Sequence, residues 1–219
     1  MRKFYFISLS LLISLVTAAQ VAVRDEPRHH SVFENEYIRI LDVYIPPKDT
    51  TQFHVHNTPS VFISFTKTAT GSQLIGGQPL KSISGAGDVW YDSLATTRIH
   101  RVWNEDTSWF HVMDIELTAG KPKNNPPLLQ NTYTGLLFNQ PLVNGYRLKF
   151  SAGTQLELPS SASGYLLLST DETTIEYKTK ESVQKRLMKA GHYIWIEAGR
   201  PATVTAVYRS ASFLLLQVK

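Results

Sequence analysis

The stretch Gln52-Phe53-His54-Val55-His56-Asn57-Thr58-Pro59-Ser60-Val61-Phe62-Ile63-Ser64 decides how the chain is read. On a strand, His54 and His56 point to one face and Phe53 and Val55 to the other. Asn-Thr-Pro then turns the chain into the apolar run Val61–Phe65. Two imidazoles side by side on an inward face are poorly explained by packing. They are well placed to share a cation about 2.0–2.1 Å from each nitrogen. Taken alone, an HxH pair also suits an exposed strand. A third histidine, His100, some way downstream and followed by Arg101, Val102, Trp103 and Asn104, shifts the balance toward a metal site.

Working outward, strand signals recur and helix signals are scarce. Tyr37–Ile45, Phe110–Leu117, Gly164–Ser169, Tyr193–Ile196, Val204–Tyr208 and Phe213–Val218 are rich in β-branched and aromatic residues and bounded by turn formers. Many short strands at this spacing predict an all-β sandwich or barrel. Thr179–Ala190, a mixed-charge stretch, reads as a short helix or a long loop. Ala119–Asn131, Ala-Gly-Lys-Pro-Lys-Asn-Asn-Pro-Pro-Leu-Leu-Gln-Asn, reads as an interdomain linker and divides the chain into halves of domain size.

The halves look alike. His56–Ser64 aligns with Ser161–Ser169, both ending an apolar run on serine, and Ile99–Val102 aligns with Pro201–Val204 when His100 is set on Ala202. The offsets are 105 and 102 residues, nearly equal, which suggests one duplicated β unit.

These residues resemble the cupin superfamily. Its first motif runs G-x5-H-x-H-x3-4-E-x6-G, which His54-x-His56 fits; its second runs G-x5-P-x-G-x2-H-x3-N, whose end His100-x3-Asn104 fits. Lys48 stands where the first glycine is expected, Ser60 stands near the glutamate position, and Ala95 and Thr97 replace the proline and glycine of the second motif, whose opening Gly87 lies two residues too far upstream. Gly191-x5-Glu197-x-Gly199-x2-Ala202-x3-Ala206 and Gly153-x5-Pro159-x-Ser161 keep the motif spacing in the second half without any ligand. Glu26–Glu36 is similar to the opening of a group of cupins of unassigned activity. The resemblance implies two double-stranded β-helix (jelly-roll) barrels in tandem: an N-terminal barrel over 28–118 with a metal site at His54, His56 and His100, the linker 119–131, and a degenerate barrel over 132–219. It also implies one divalent ion, and iron, zinc, manganese and nickel all suit it. Gln52, on the strand parity of His54, Ser60 and Asn104 are candidates for roles just behind the ligands, although Asn104 equally reads as a turn residue. Glu34, Glu36, Asp88 and Asp92 are nearby carboxylates that read as solvated loop residues before they read as a fourth ligand or a base. His29 and His30 sit near the mature N-terminus, and His111 and His192 read as structural.

At the start of the chain, charged Met1-Arg2-Lys3, an apolar run over Phe4–Val16 and small Thr17-Ala18-Ala19 form a secretory signal pattern over 1–19. The expectation is a periplasmic or secreted protein, with no membrane association after cleavage. The chain has no cysteine, so disulfides and thiolate ligands are excluded. The formal charge of +4 falls to about +2 once Arg2 and Lys3 leave, too little to argue for a nucleic-acid partner. No nucleophile elbow, phosphate-binding glycine loop or HExxH is present. What remains is a small-molecule ligand. Three neutral histidines leave the charge of a divalent ion uncompensated, which favours hydroxide or an anionic substrate. The resemblance makes a metal-dependent enzyme, dioxygenase-like or an isomerase or lyase, the leading reading; the alternatives are a non-catalytic metal- or ligand-binding cupin and a self-associating module, with a homodimer as the expected partner.

Overall fold

A computed structural model describes residues 20–219; the signal segment 1–19 lies outside the described residues. The first half contains β1 (Val21–Ala22), β2 (His29–Glu34), β3 (Ile38–Ile45), β4 (His54–His56), β5 (Ser60–Ser64), β6 (Thr68–Leu74), β7 (Leu80–Ser84), β8 (Val89–Asp92), β9 (Arg98–Asn104) and β10 (Phe110–Leu117). The second contains β11 (Thr134–Asn139), β12 (Val143–Phe150), β13 (Gln155–Leu158), β14 (Tyr165–Ser169), β15 (Thr173–Lys178), β16 (Val183–Met188), β17 (Tyr193–Ile196), β18 (Ala202–Ala206) and β19 (Ala211–Val218).

The strand order repeats. The first half pairs β2-β3-β10-β5-β8 in one sheet and β1-β4-β9-β6-β7 in the other. The second pairs β11-β12-β19-β14-β17 and β13-β18-β15-β16, the same order nine strands later without a counterpart of β1. Each half is a jelly-roll barrel of two facing sheets.

Period-two alternation explains how the barrels meet. On β10, Phe110 and Val112 face the interior of the first barrel, while Met113, Ile115 and Leu117 face outward. On β19, Phe213 and Leu215 fill the second barrel, while Leu214, Leu216 and Val218 face outward. The two outward faces pack together with Ile38, Ile40, Leu166 and Leu168 into one buried layer. Such central strands are covered on both sides and therefore read as continuous apolar runs. Each large apolar side chain buried there contributes about 1.5–3 kcal/mol, so this contact is a core.

The segment 119–131 contains no strand, and side chains hold it in place. Leu129 N–H donates to Tyr146 Oη at 3.2 Å, Gln217 Nε2 donates to Pro127 O at 3.4 Å, and Leu129 packs on the second barrel's core. The Thr179–Ala190 region is neither helix nor loop. β16 pairs antiparallel with β15 through a turn closed by Thr179 N–H to Ser182 O at 2.8 Å. β16 is an edge strand exposed at every residue but Met188, so it carries Gln184, Lys185 and Arg186 and lacks the half-buried alternation that marks a strand.

Candidate metal centre

The topology brings the three histidines together. β4 pairs antiparallel with β9 so that His54 lies directly across from His100, and His56 across from Arg98. His54 and His56 are each 1% exposed, and His100 is half-buried. One nitrogen from each ring lies within 4.8 Å of the others, and His56 Nε2 and His100 Nε2 are 3.0 Å apart. Two ligands at right angles, each about 2.1 Å from one ion, stand about 3.0 Å apart, so that pair already has the spacing of neighbouring ligands.

The rings are prepared as ligands. His54 Nδ1–H donates to Gln52 O at 2.9 Å, which leaves Nε2 with its lone pair. Burial, reinforced by His29, pushes His54 down to about 4. Burial and the neighbouring His100 and His54 hold His56 far below the usual imidazole range, and burial with His54 and Arg98 does the same to His100. At neutral pH all three are uncharged, the form that binds a cation.

The rings open on a cavity of about 250 Å³ inside the first barrel. Phe62, Phe110 and Val112 form an apolar wall, and Thr70, Ser72 and Ser84 a small polar one. Phe62 stacks on Trp90 with centroids 5.2 Å apart. Arg98 brings a cation to the rim, paired with Asp92.

The other residues singled out from sequence divide clearly. The side chain of Gln52 is exposed, and its backbone carbonyl is what reaches His54. Strand β4 begins only at His54, so strand parity does not carry Gln52 into the cavity. Ser60 is buried on the strand face it shares with Phe62, next to Asp114, its Oγ donating to Thr58 O at 3.2 Å; it does not line the cavity. Asn104 is a turn residue: its Nδ2 donates to Ile45 O and Ser108 O at 3.0 and 2.7 Å, and its Oδ1 accepts from Asp106 N–H at 2.8 Å. Glu34 and Glu36 pair with Arg39 and Lys123, and Asp88 caps Gly85, all away from the cavity. His111 binds Asp42 at 2.7 Å and stacks on Tyr44.

Two residues that sequence reasoning left out or aside, His29 and Asp114, border the cavity, and a third, Glu26, holds the first of them. His29 lines it, its ring centroid 4.8 Å from that of His54, and its Nδ1–H donates to Glu26 Oε2 at 2.8 Å. Glu26 also accepts from Arg28 N–H and Gln52 N–H. Burial opposes its ionisation, but the bonds from His29, Arg28 and Gln52 together hold the carboxyl down at about 2. Asp114 on β10 is fully buried and also lines the cavity; burial, with Glu116 on the same strand face, pushes its carboxyl up to about 8. The signal for Asp114 is an acid in phase with Phe110 and Val112 inside an apolar strand.

The second barrel has no such site. Asn104 pairs with Thr70 as Ala206 pairs with Ile175, which sets His100 against Ala202, and Leu158 pairs with Ala202 as His54 pairs with His100; Leu158 and Ala202 both lie in the apolar core. The counterpart of His100 is therefore Ala202, as the motif alignment has it, and the counterpart of His54 is Leu158, so the first-motif alignment that set Pro159 there is corrected by one residue.

No family model matches the sequence, and no curated protein matches it. Solved structures do. The cupin 2 conserved barrel domain protein from Leptotrichia buccalis is 12% identical, with a TM-score of 0.59 over 87% of this chain and 88% of that one. A point mutant of salicylate 1,2-dioxygenase from Pseudoaminobacter salicylatoxidans, in complex with gentisate, is 11% identical, with a TM-score of 0.63 over 90% of this chain and 76% of that one. AerE from Microcystis aeruginosa is 7% identical, with a TM-score of 0.60 over 89% of this chain and 98% of that one. At these identities the likeness fixes the fold, two cupin-type barrels in tandem.

Proposed function

We propose that this chain is an exported, metal-dependent cupin enzyme acting on a small molecule, with one divalent ion held by His54, His56 and His100 in the first barrel. The observation that carries the reading is the convergence of three uncharged imidazoles on one cavity. A divalent ion there would supply Lewis acidity and open coordination positions for a substrate. The protein's own part is to orient and to exclude water. Gln52 O fixes the His54 tautomer, the apolar wall around Phe62 strips solvent from a bound ligand, and Arg98 favours an anionic group at the rim. Dioxygenase-like chemistry leads because salicylate 1,2-dioxygenase shares the fold, an argument by analogy. The first barrel over 28–118 is the working unit, and the second, over 132–219, is a degenerate, structural partner joined by 119–131. The ligand is a small molecule rather than nucleic acid, and the mature protein acts in the periplasm or outside the cell, free of the membrane, as a monomer or homodimer.

Metal analysis of the mature protein tests the site: one ion per chain is expected, lost in His54→Ala and in His100→Ala. A wild-type chain that takes up no iron, zinc, manganese or nickel ends the reading. A second reading, a non-catalytic metal- or ligand-binding protein, is favoured by the buried Ser60 near the place of the missing glutamate. Oxygen uptake and turnover over a panel of small anions separate the two.

A further inference from the structure

The most conspicuous unpaired group in the first barrel is the carboxyl of Asp114. Its side chain is 1% exposed, and neither oxygen has a well-formed hydrogen bond among the described residues: the neighbouring Ser60 hydroxyl, which lowers the carboxyl somewhat, already donates to Thr58 O. The facing nitrogen, His56 Nδ1, is likewise buried and without a partner, 3.5 Å from Asp114 Oδ2. Two buried polar groups this close, both unpaired, are costly to leave as they are. The other nitrogen of the same ring, His56 Nε2, faces His100 Nε2 at 3.0 Å and lies on the ligand side.

We propose that Asp114 is the positioning residue of the metal site, the acceptor to which His56 Nδ1–H donates when Nε2 binds the ion. This rests on the metal reading above. Coordination through Nε2 puts the ring proton on Nδ1, and the ring then needs an acceptor on its far side. Asp114 occupies that place, and a shortening of a few tenths of an ångström makes the bond. A nearby cation also offsets the cost of a buried carboxylate, so ion and carboxylate stabilise each other. Three neutral ligands lack a compensating charge. Asp114 supplies it from behind the ring of His56, on β10 in the facing sheet, and thereby ties the two sheets of the barrel together through the ion.

The test uses the mature chain stripped of metal and titrated with cobalt(II), whose visible bands report ligand geometry, followed by zinc competition. Asp114→Asn is expected to weaken binding about 10- to 100-fold and to shift the cobalt bands. Metal-free Asp114→Asn and Asp114→Leu should melt at or above the wild-type temperature, because an unpaired buried carboxyl has been removed. A merely structural role gives the opposite pattern, a lower melting temperature with unchanged affinity. Wild-type affinity and spectrum in Asp114→Asn overturn the proposal while leaving the site intact. Failure of the wild-type chain to bind any ion overturns the metal reading and this proposal together.

Discussion

Replacing Glu26 by Gln should remove both stability and a specific part of the acid sensitivity of the fold. Glu26 is a buried carboxylate held by His29 Nδ1 at 2.8 Å, Arg28 N–H at 2.7 Å and Gln52 N–H at 3.2 Å. Its carboxyl lies at about 2 in the folded protein, against 4.5 for a free glutamate. A depressed folded value means the stabilisation is fully present above 4.5 and is lost as the pH falls through 4.5 toward 2. The full difference corresponds to about 3 kcal/mol, and screening through the partly exposed Arg28 and Asp49 lowers it to roughly 2 kcal/mol. In a protein of this size that is about 4–8 °C in melting temperature. The assay is urea unfolding of metal-free wild type and Glu26→Gln at intervals from neutral pH down to the folded value of the carboxyl. The variant should be less stable at neutral pH and should approach the wild type as the pH falls below 4.5. Stability curves that run parallel at a constant separation would refute the reasoning, since the lost contacts would then be independent of charge. The same variant should weaken metal binding, because Glu26 anchors the amide of Gln52, and the carbonyl of Gln52 sets the His54 tautomer.

Asn104→Ala strips two donors and an acceptor from a buried turn and should cost about 2–4 kcal/mol in chemical denaturation, with metal affinity retained because the residue lies outside the cavity. Gly71→Ala would place a Cβ 2.1 Å from the Trp103 indole; the expected loss is about 1–3 kcal/mol, read as a lower melting temperature. Leu158→His, which sets an imidazole at the counterpart of His54 in a filled core, should destabilise by about 3 kcal/mol and bind no cobalt in the same titration.

The fold is legible in the sequence wherever burial imposes a pattern. Phe110–Leu117 and Tyr193–Ile196 form strands with the bounds read from sequence, because covered strands must be apolar and their ends are cut by turn residues. β16 is not legible, because an exposed edge strand has no apolar phase to detect. The three histidines are legible because i, i+2 parity survives any pairing, whereas their convergence depends on a long-range register that sequence spacing only suggests. Asp114 is hidden because its strand is buried on both faces, which conceals which residues look inward. Gln52 is misplaced by sequence because parity does not extend past the end of β4.

Why one barrel is hollow and the other solid follows from a short set of exchanges at matching ladder positions. Thr68 pairs with Ser84 as Thr173 pairs with Met188, so Ser84 corresponds to Met188, and Thr70 and Ser72 on the same strand correspond to Ile175 and Tyr177. Val112 pairs with Ser64 as Phe213 pairs with Ser169, which sets Phe213 against Val112 and, two residues on, Leu215 against Asp114. Each member in the first half is smaller or polar, and each in the second is a bulkier, mainly apolar side chain. Close packing tolerates no voids of methyl size without cost, so the first barrel sacrifices stability for its cavity and the second, with its outward face packed against the first, can offset that loss. A filled barrel packed along a whole sheet face against a hollow one is a physical reason to keep two copies of a unit when only one carries the three converging histidines.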